Sequence, residues 1–100
     1  MYTITLPGKL YQSLADMEIF SEDDVPPEAR EAFLSAVPGT YGRGRRYHIT
    51  GPSKKLYAVL DVLASLADEV ADRKLPGYHF GVEPKVLRTA SKQPLLRWIK

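Results

Sequence analysis

A run of apolar residues at helical spacing, between positions 53 and 73, limits the folds open to this chain more than any other part of its sequence. The apolar side chains there recur every three or four residues: Leu56, Val59, Leu60, Leu63, Leu66, Ala67 and Val70. Such a period gathers them on one face of a helix and leaves the polar residues on the other. The sequence therefore predicts an amphipathic helix from Ser53 to Arg73 that forms the main wall of the core.

Shorter patterns on either side predict strands and further helices. Apolar and polar residues alternate in Tyr2–Leu6, which is the period of a half-buried strand. Similar reasoning predicts strands at Arg46–Thr50 and Tyr78–Val82, and helices at Lys9–Glu18 and Lys85–Lys92. A hairpin that turns at Pro7-Gly8 is the alternative to the helix at Lys9–Glu18.

A second short helix is predicted to begin near Pro26-Pro27, because proline is tolerated in the first helical turn. Asp24 precedes it and is a candidate N-cap. One face of this helix is marked by small and apolar residues: Ala29, Ala32, Phe33, Ala36 and Val37. Pro38-Gly39 is predicted to end it.

The predicted order is thus β-α-α-β-α-β-α, which favours an α+β domain. We expect a small sheet of two or three strands, with three or four helices in a single layer on one face. One hundred residues suit one domain spanning positions 1–100. Residues 94–100 form a C-terminal tail that packs on the domain itself or on a partner.

Composition excludes several classes of protein and site. The chain has no cysteine, so disulfides and thiolate metal sites are ruled out. The acidic residues lack histidines at ligand spacing, so we expect no metal and no cofactor. No apolar stretch approaches the ~20 residues that a membrane span needs, and the first fifteen residues lack the apolar run of a signal peptide. A cytoplasmic location is the default expectation.

Charge is distributed in blocks along the chain, although the net charge is only +2. Acidic residues dominate positions 1–40 and 61–72, whereas basic residues dominate 41–60 and 73–100. Such blocks either create oppositely charged faces that steer partners or pair with one another within the fold.

The stretch RGRRYHITGPSKK, residues 43–55, is the first candidate site. A strand followed by a Gly-Pro-Ser turn and a helix start is an arrangement in which main-chain amides can meet an anion. The spacing is that of neither a nucleotide P-loop nor a dinucleotide fingerprint. The basic side chains could also follow a nucleic-acid backbone. The candidate contacts are Arg43, Arg45, Arg46, His48, Ser53, Lys54 and Lys55. The alternative is an ordinary solvated surface.

His48 and Thr50 lie two residues apart on a predicted strand and resemble half of the motif of two-histidine phosphoesterases, in which paired imidazoles act as acid and base. The second histidine, His79, lacks the partner threonine. A histidine-based phosphodiesterase is therefore a remote alternative, and no catalytic residue is assigned. Hydrogen-bonded histidines on a sheet surface are the more ordinary interpretation.

The C-terminal segment is the second candidate site. Tyrosine, tryptophan and arginine dominate binding energy at protein interfaces, and the tail combines large apolar residues with two of these types. Its candidate interface residues are Leu95, Leu96, Arg97, Trp98 and Ile99. The sequence thus favours a small non-enzymatic binding protein, of the accessory or inhibitory kind, whose partner is another protein or a second copy. Binding of nucleic acid or of a nucleotide phosphate through residues 43–55 is the alternative.

Overall fold

The computed structural model describes residues 1–41, 44–71 and 82–97. Its strands are β1 (Tyr2–Pro7), β2 (Val37–Tyr41), β3 (Gly44–Gly51) and β4 (Leu96–Arg97). They form one antiparallel sheet in the order β2-β3-β1-β4. The predicted α+β class is confirmed, although the described part of the chain contributes four strands rather than two or three.

Four α-helices accompany the sheet in the described part of the chain. They are α1 (Gly8–Asp16), α2 (Pro27–Leu34), α3 (Ser53–Ala71) and α4 (Pro84–Ser91), with a 3₁₀ turn at Ile19–Ser21. Each α-helix lies where apolar spacing predicts one. β1 runs directly into α1, so the alternative hairpin at Pro7-Gly8 is wrong.

Gly8 permits this sharp passage from strand to helix. A Cβ at this position would lie 2.9 Å from the carbonyl oxygen of Arg45 in β3. Only glycine lets the first turn of α1 approach the neighbouring strand so closely.

The two faces of the sheet differ in chemistry because successive strand residues point to opposite sides. Ile4 pairs with Ile49 and Leu6 with Tyr47, which places these residues on the inner face. Thr5 pairs with His48, on the outer face. The inner face carries the buried aliphatic side chains and joins the core formed with the helices.

The predicted apolar face of α3 is the centre of that core. Leu56, Val59 and Leu63 are fully buried, and only Val70, the last residue of the predicted face, stays partly exposed. The long helix packs between α2 and α4 and also contacts β1 and β3. Burying each large aliphatic side chain contributes about 1.5–3 kcal/mol. This helix is therefore the main wall of the domain, as its spacing predicts.

A stack of four aromatic rings joins the sheet to α1, α2 and the 3₁₀ turn. The ring of Tyr11 lies 4.0 Å from that of Tyr47 and 4.5 Å from that of Phe33, which in turn lies 4.2 Å from Phe20. The Tyr11 hydroxyl donates to the carbonyl oxygen of Phe33 at 3.1 Å. Because neighbouring rings come from different elements, the stack ties these elements together.

The segment after α2 differs from the prediction. Val37 was expected on the helical face and Pro38-Gly39 beyond its end, yet all three belong to β2. The helix ends at Leu34, where the Ser35 hydroxyl donates to the carbonyl oxygen of Ala32. Proline is tolerated in β2 because this is an edge strand, which does not need every N–H for the ladder.

Asp24 does not cap α2, which corrects a second expectation. The N-cap residue is Pro26, and no side chain caps the helix by a hydrogen bond. Asp24 lies three residues before the first helical residue, Pro27, which is too far for the usual side-chain bond to the first-turn amides. Its carboxylate is exposed and lines a groove described below.

Two C-terminal predictions fall partly outside the described residues. Of the predicted strand Tyr78–Val82, only Val82 is described; it is buried in the core and belongs to no strand. In the tail, Leu96 pairs with Thr3 and Arg97 with Tyr2, so part of this segment extends the sheet. Trp98, Ile99 and Lys100 lie outside the described residues.

Candidate functional site

The structure separates the two described arginines of the basic stretch. Arg46 pairs with Pro7 and Gly39 on the outer face of the sheet, whereas Arg45 pairs with Thr40 on the inner side. Neighbouring strand residues must point to opposite faces, and both side chains are exposed there. Arg43 lies outside the described residues.

The rest of the stretch lies at the far end of β3. From Arg46 to Gly51 the strand extends roughly 17 Å before α3 begins at Ser53. Lys55 forms an ion pair with Glu31 of α2, Nζ to Oε2 at 3.1 Å, while Lys54 is exposed. The described cations of residues 43–55 therefore do not gather into one electropositive surface.

His48 lies within a hydrogen-bonded group on the outer face of the sheet. Its Nδ1 is 3.1 Å from Oγ1 of Thr5, and its ring lies against Gly39. On the same face, the Thr50 hydroxyl donates to Thr3 Oγ1 at 3.4 Å, and Thr3 Oγ1 donates to the Ile49 carbonyl oxygen at 3.2 Å. His48 and Thr50 thus share a face, as their spacing predicts. His79, the other histidine of the phosphodiesterase hypothesis, is outside the described residues.

Of the three described candidate residues of the tail, one packs against its own domain and two face solvent. Leu95 is partly buried against the core, whereas Leu96 keeps 59% of its surface exposed and Arg97 is exposed. Trp98 and Ile99 lie outside the described residues. Leu96 and Arg97 are the described tail residues that are open to a partner.

A groove with four carboxylates on its rim is the most distinctive surface that the sequence did not predict. It lies between α3 and the segment around the 3₁₀ turn, with a volume of about 250 Å³. We call it the acidic groove. Its acidic residues are Glu22, Asp24, Asp61 and Glu69, and its apolar residues are Ile19, Val25, Pro26, Ala58, Val62 and Leu66. Ser65 completes the lining, in which none of the described residues is basic.

Helical geometry aligns one wall of the acidic groove. Asp61, Ser65 and Glu69 follow one another at intervals of four residues along α3, so they form a polar row of about 12 Å. Val62 and Leu66 lie one position further along and turn toward the floor. The spacing of this row is present in the sequence, but the wall that faces it is not.

Arg30 holds the opposite wall in place. Its Nε donates to the carbonyl oxygen of Phe20 at 3.0 Å, and its Nη2 donates to that of Glu22 at 3.0 Å. The Val25 N–H also donates to the Glu22 carbonyl oxygen, which closes a turn and leaves the Val25 side chain buried. Because Arg30 binds main-chain oxygens, it fixes the loop while the carboxylates of Glu22 and Asp24 stay exposed.

Metal and membrane sites are not found among the described residues. No group of three or more histidine or carboxylate side chains there is close enough to hold a metal ion. None of the helices in that part of the chain has the length and apolarity needed to cross a bilayer.

Comparison with known proteins gives no relative. The chain matches no protein-family model, and neither a curated protein nor a solved structure is similar to it. Its function must therefore be inferred from the geometry of its surfaces.

Proposed function

We propose that this protein is a small, non-enzymatic binding protein that acts through protein–protein contacts, with a basic, amphipathic segment of its partner held in the acidic groove. The observation that carries the proposal is the lining of that groove: it combines four carboxylates with six apolar residues, and none of the described residues that line it is basic. The expected cytoplasmic location belongs to the same proposal.

The composition of the groove matches that of a protein-binding surface. Apolar side chains at the centre of an interface supply burial, and charged groups at its rim supply specificity and a fast encounter. Val25, Val62 and Leu66 would receive an apolar side chain, while Asp61 and Glu69 would face lysine or arginine on the same segment.

The rigidity of both walls also supports binding. One wall is a turn held by Arg30, and the other is a 19-residue helix whose far side is buried in the core. A site that is already ordered loses less conformational entropy when a partner binds. An amphipathic segment can therefore bind without first reorganising the loop.

A designed peptide tests the proposal. The probe is a helical peptide built from lysine and leucine, titrated calorimetrically into the full-length protein at low salt. We expect saturable binding that Asp61→Lys weakens at least about tenfold, because like charges then meet at the rim. Asp16→Lys is the matched control: Asp16 is exposed on α1, and the change in net charge is identical. Equal losses in the two variants, or no binding by the wild type, would rule out the groove.

A second copy of the chain is one source of such a segment, since Lys85 in α4 and Lys92, which follows its end, are both exposed. Sedimentation of the wild type over a range of concentrations separates this case from a foreign partner. Self-association through the groove predicts a mass that rises with concentration for the wild type and stays monomeric for Asp61→Lys. A monomeric wild type that still binds the peptide indicates a foreign partner.

A further inference from the structure

A second groove lies between α4 and the outer face of β1, and it shares no residue with the acidic groove. We call it the β1–α4 groove. Its volume is about 440 Å³, within the range of about 300–1,000 Å³ typical of small-molecule sites. It is lined by Thr5, Pro7, Arg46, Lys85, Val86, Thr89, Ala90 and Gln93.

The charge of this groove is positive and unbalanced. Arg46 comes from β3 and Lys85 from α4, and the described residues of the lining include no carboxylate. Elsewhere on the described surface, Lys55 pairs with Glu31 and Arg88 with Asp68. Neither Arg46 nor Lys85 forms an ion pair with any described carboxylate. Two cations from different elements, neither paired with a carboxylate in the described part of the chain, thus line one groove.

The rest of the lining consists of apolar side chains and of polar side chains that already form hydrogen bonds within the protein. Pro7, Val86 and Ala90 supply apolar surface, and Ala90 is anchored in the core next to the fully buried Leu87. Gln93 also lines the groove, and two hydrogen bonds to the main chain of Thr5 hold it in place. The hydroxyl of Thr89 already donates to the Lys85 carbonyl oxygen, so the cations are the groups available for an anion.

From this arrangement we infer that the β1–α4 groove binds a small phosphate monoester with an apolar body. A phosphate monoester carries about −1.5 to −2 charges at neutral pH, which suits two cations better than a single carboxylate does. The planar guanidinium of Arg46 can bind two phosphate oxygens at once, and the ammonium of Lys85 supplies a second, mobile donor. Pro7 and Val86 then cover the apolar body of the ligand.

The inference is tested with phenyl phosphate on the full-length protein, by calorimetry and by amide chemical shifts at low salt. We expect saturable 1:1 binding, with shifts at Val86 and Ala90. Inorganic phosphate, which lacks the apolar body, and benzoate, which has a single charge, should both bind more weakly; phenol should not bind. Absence of saturable phenyl phosphate binding would overturn the inference.

Matched variants distinguish binding in the groove from non-specific attraction by the positive charge of the protein. Arg46→Gln and Lys85→Gln should each weaken phenyl phosphate binding about tenfold, because each removes a charge-assisted hydrogen bond. The controls are Arg45→Gln and Lys92→Gln, which remove the same charge from the next residue of β3 and from the residue that follows α4, outside the lining. They should change the affinity by less than about twofold. If Arg45→Gln weakens binding as much as Arg46→Gln, the anion is held by diffuse charge and the inference is wrong.

The same titration tests nucleic-acid binding through residues 43–55. A single-stranded oligonucleotide without a terminal phosphate is added to the phenyl phosphate complex. We expect no displacement of phenyl phosphate, since the described cations of that stretch face different directions. Displacement that Arg45→Gln reduces would instead favour an extended polyanion surface and contradict the groove. Neither result bears on the function proposed for the acidic groove.

Discussion

The side-chain amide of Gln93 occupies the place of a strand partner beside Thr5. The Thr5 N–H donates to Gln93 Oε1 at 2.9 Å, and Gln93 Nε2 donates to the Thr5 carbonyl oxygen at 2.9 Å. The same Nε2 also donates to the Ala90 carbonyl oxygen at 3.0 Å. β4 pairs only with Tyr2 and Thr3, so this one side chain continues the edge of β1 and joins it to the end of α4.

Gln93→Ala should therefore destabilise the protein by about 1–3 kcal/mol, because both main-chain groups of Thr5 lose their partner in a partly buried position. Gln93→Glu should cost a similar amount at neutral pH, since a carboxylate has no hydrogen to donate to the Thr5 carbonyl oxygen. The measurement is urea unfolding. Gln12→Ala, at an exposed position of α1, is the control and should stay within about 0.5 kcal/mol. A Gln93→Glu variant as stable as the wild type would contradict this role.

Gly39 leaves the space in which the imidazole of His48 lies. A Cβ at position 39 would be 2.9 Å from His48 Nε2 and 3.0 Å from Cδ2, so Gly39→Ala should displace the ring from Thr5 Oγ1. We expect a loss of about 1 kcal/mol in chemical unfolding, at the low end for an overpacked contact because the imidazole is the end of a side chain and can move aside. In a His48→Ala background the same change should cost much less, which gives a coupling energy of at least about 0.5 kcal/mol.

Gly51→Ala is the control for this experiment. Gly51 is also a strand residue, but a Cβ there would meet no atom within 4 Å. Alanine should be neutral at this position or stabilise by up to about 1 kcal/mol, because it restricts the unfolded chain. Equal losses at positions 39 and 51 would show that strand glycine itself, and not the contact with His48, is responsible.

Tyr11 should make stability fall at alkaline pH. Burial raises the pKa of its hydroxyl above the ordinary value of 10.0, and like-charge repulsion from Tyr47 raises it further. Unfolded Tyr11 ionises at the ordinary pKa while the folded hydroxyl keeps its proton. The stability that this pKa difference gives to the folded state is therefore fully present below about pH 10 and is lost as the pH rises through the folded pKa of Tyr11.

Tyr11→Phe removes this titration together with the hydrogen bond to Phe33. Near pH 8 the variant should be less stable than the wild type by about 1 kcal/mol, and the difference should shrink near pH 11. Unfolding by guanidinium at both pH values measures this difference in stability. Tyr57→Phe, at a position 56% exposed, should show no such change. A difference for Tyr11→Phe that does not vary with pH would refute the linkage.

Leu95 and Leu96 should respond differently to truncation. Leu95 packs against the core, whereas Leu96 is 59% exposed on the outer face of β4. Leu95→Ala should lower the free energy of unfolding by about 1–2 kcal/mol, somewhat less than at a fully buried site, and Leu96→Ala by less than about 0.5 kcal/mol. Thermal unfolding distinguishes them. Equal losses would mean that Leu96 also packs within its own domain.

The helices of this protein could be predicted from local pattern, because amphipathic spacing depends only on the order of residues within one segment. Leu56, Leu63 and Leu66 repeat at the helical period, and all three are buried in α3. The same holds for the alternation in β1, where Ile4 and Leu6 are buried. β2 was missed because Pro38 and Gly39 oppose strand formation locally. Pairing with β3 at the edge of the sheet overrides that preference.

Neither groove could be predicted from the local pattern of the sequence. The acidic row Asp61-Ser65-Glu69 was present in α3, but its partner wall comes from residues about forty positions earlier and is positioned by Arg30. Likewise, Arg46 and Lys85 are far apart in the chain and line one groove only because β3 pairs with β1 and Gln93, just after α4, is bonded to the other edge of β1.

The order of residues alone thus determined which segments are helical or extended and which of their faces are apolar, since both properties follow from periods of two or 3.6 residues. Tertiary packing decided which charges meet and which separate. It paired Lys55 with Glu31, and it placed Arg46 and Lys85 in the lining of one groove without a described carboxylate partner. Charge acts through distance in space, and that distance is set only when strands and helices pack together.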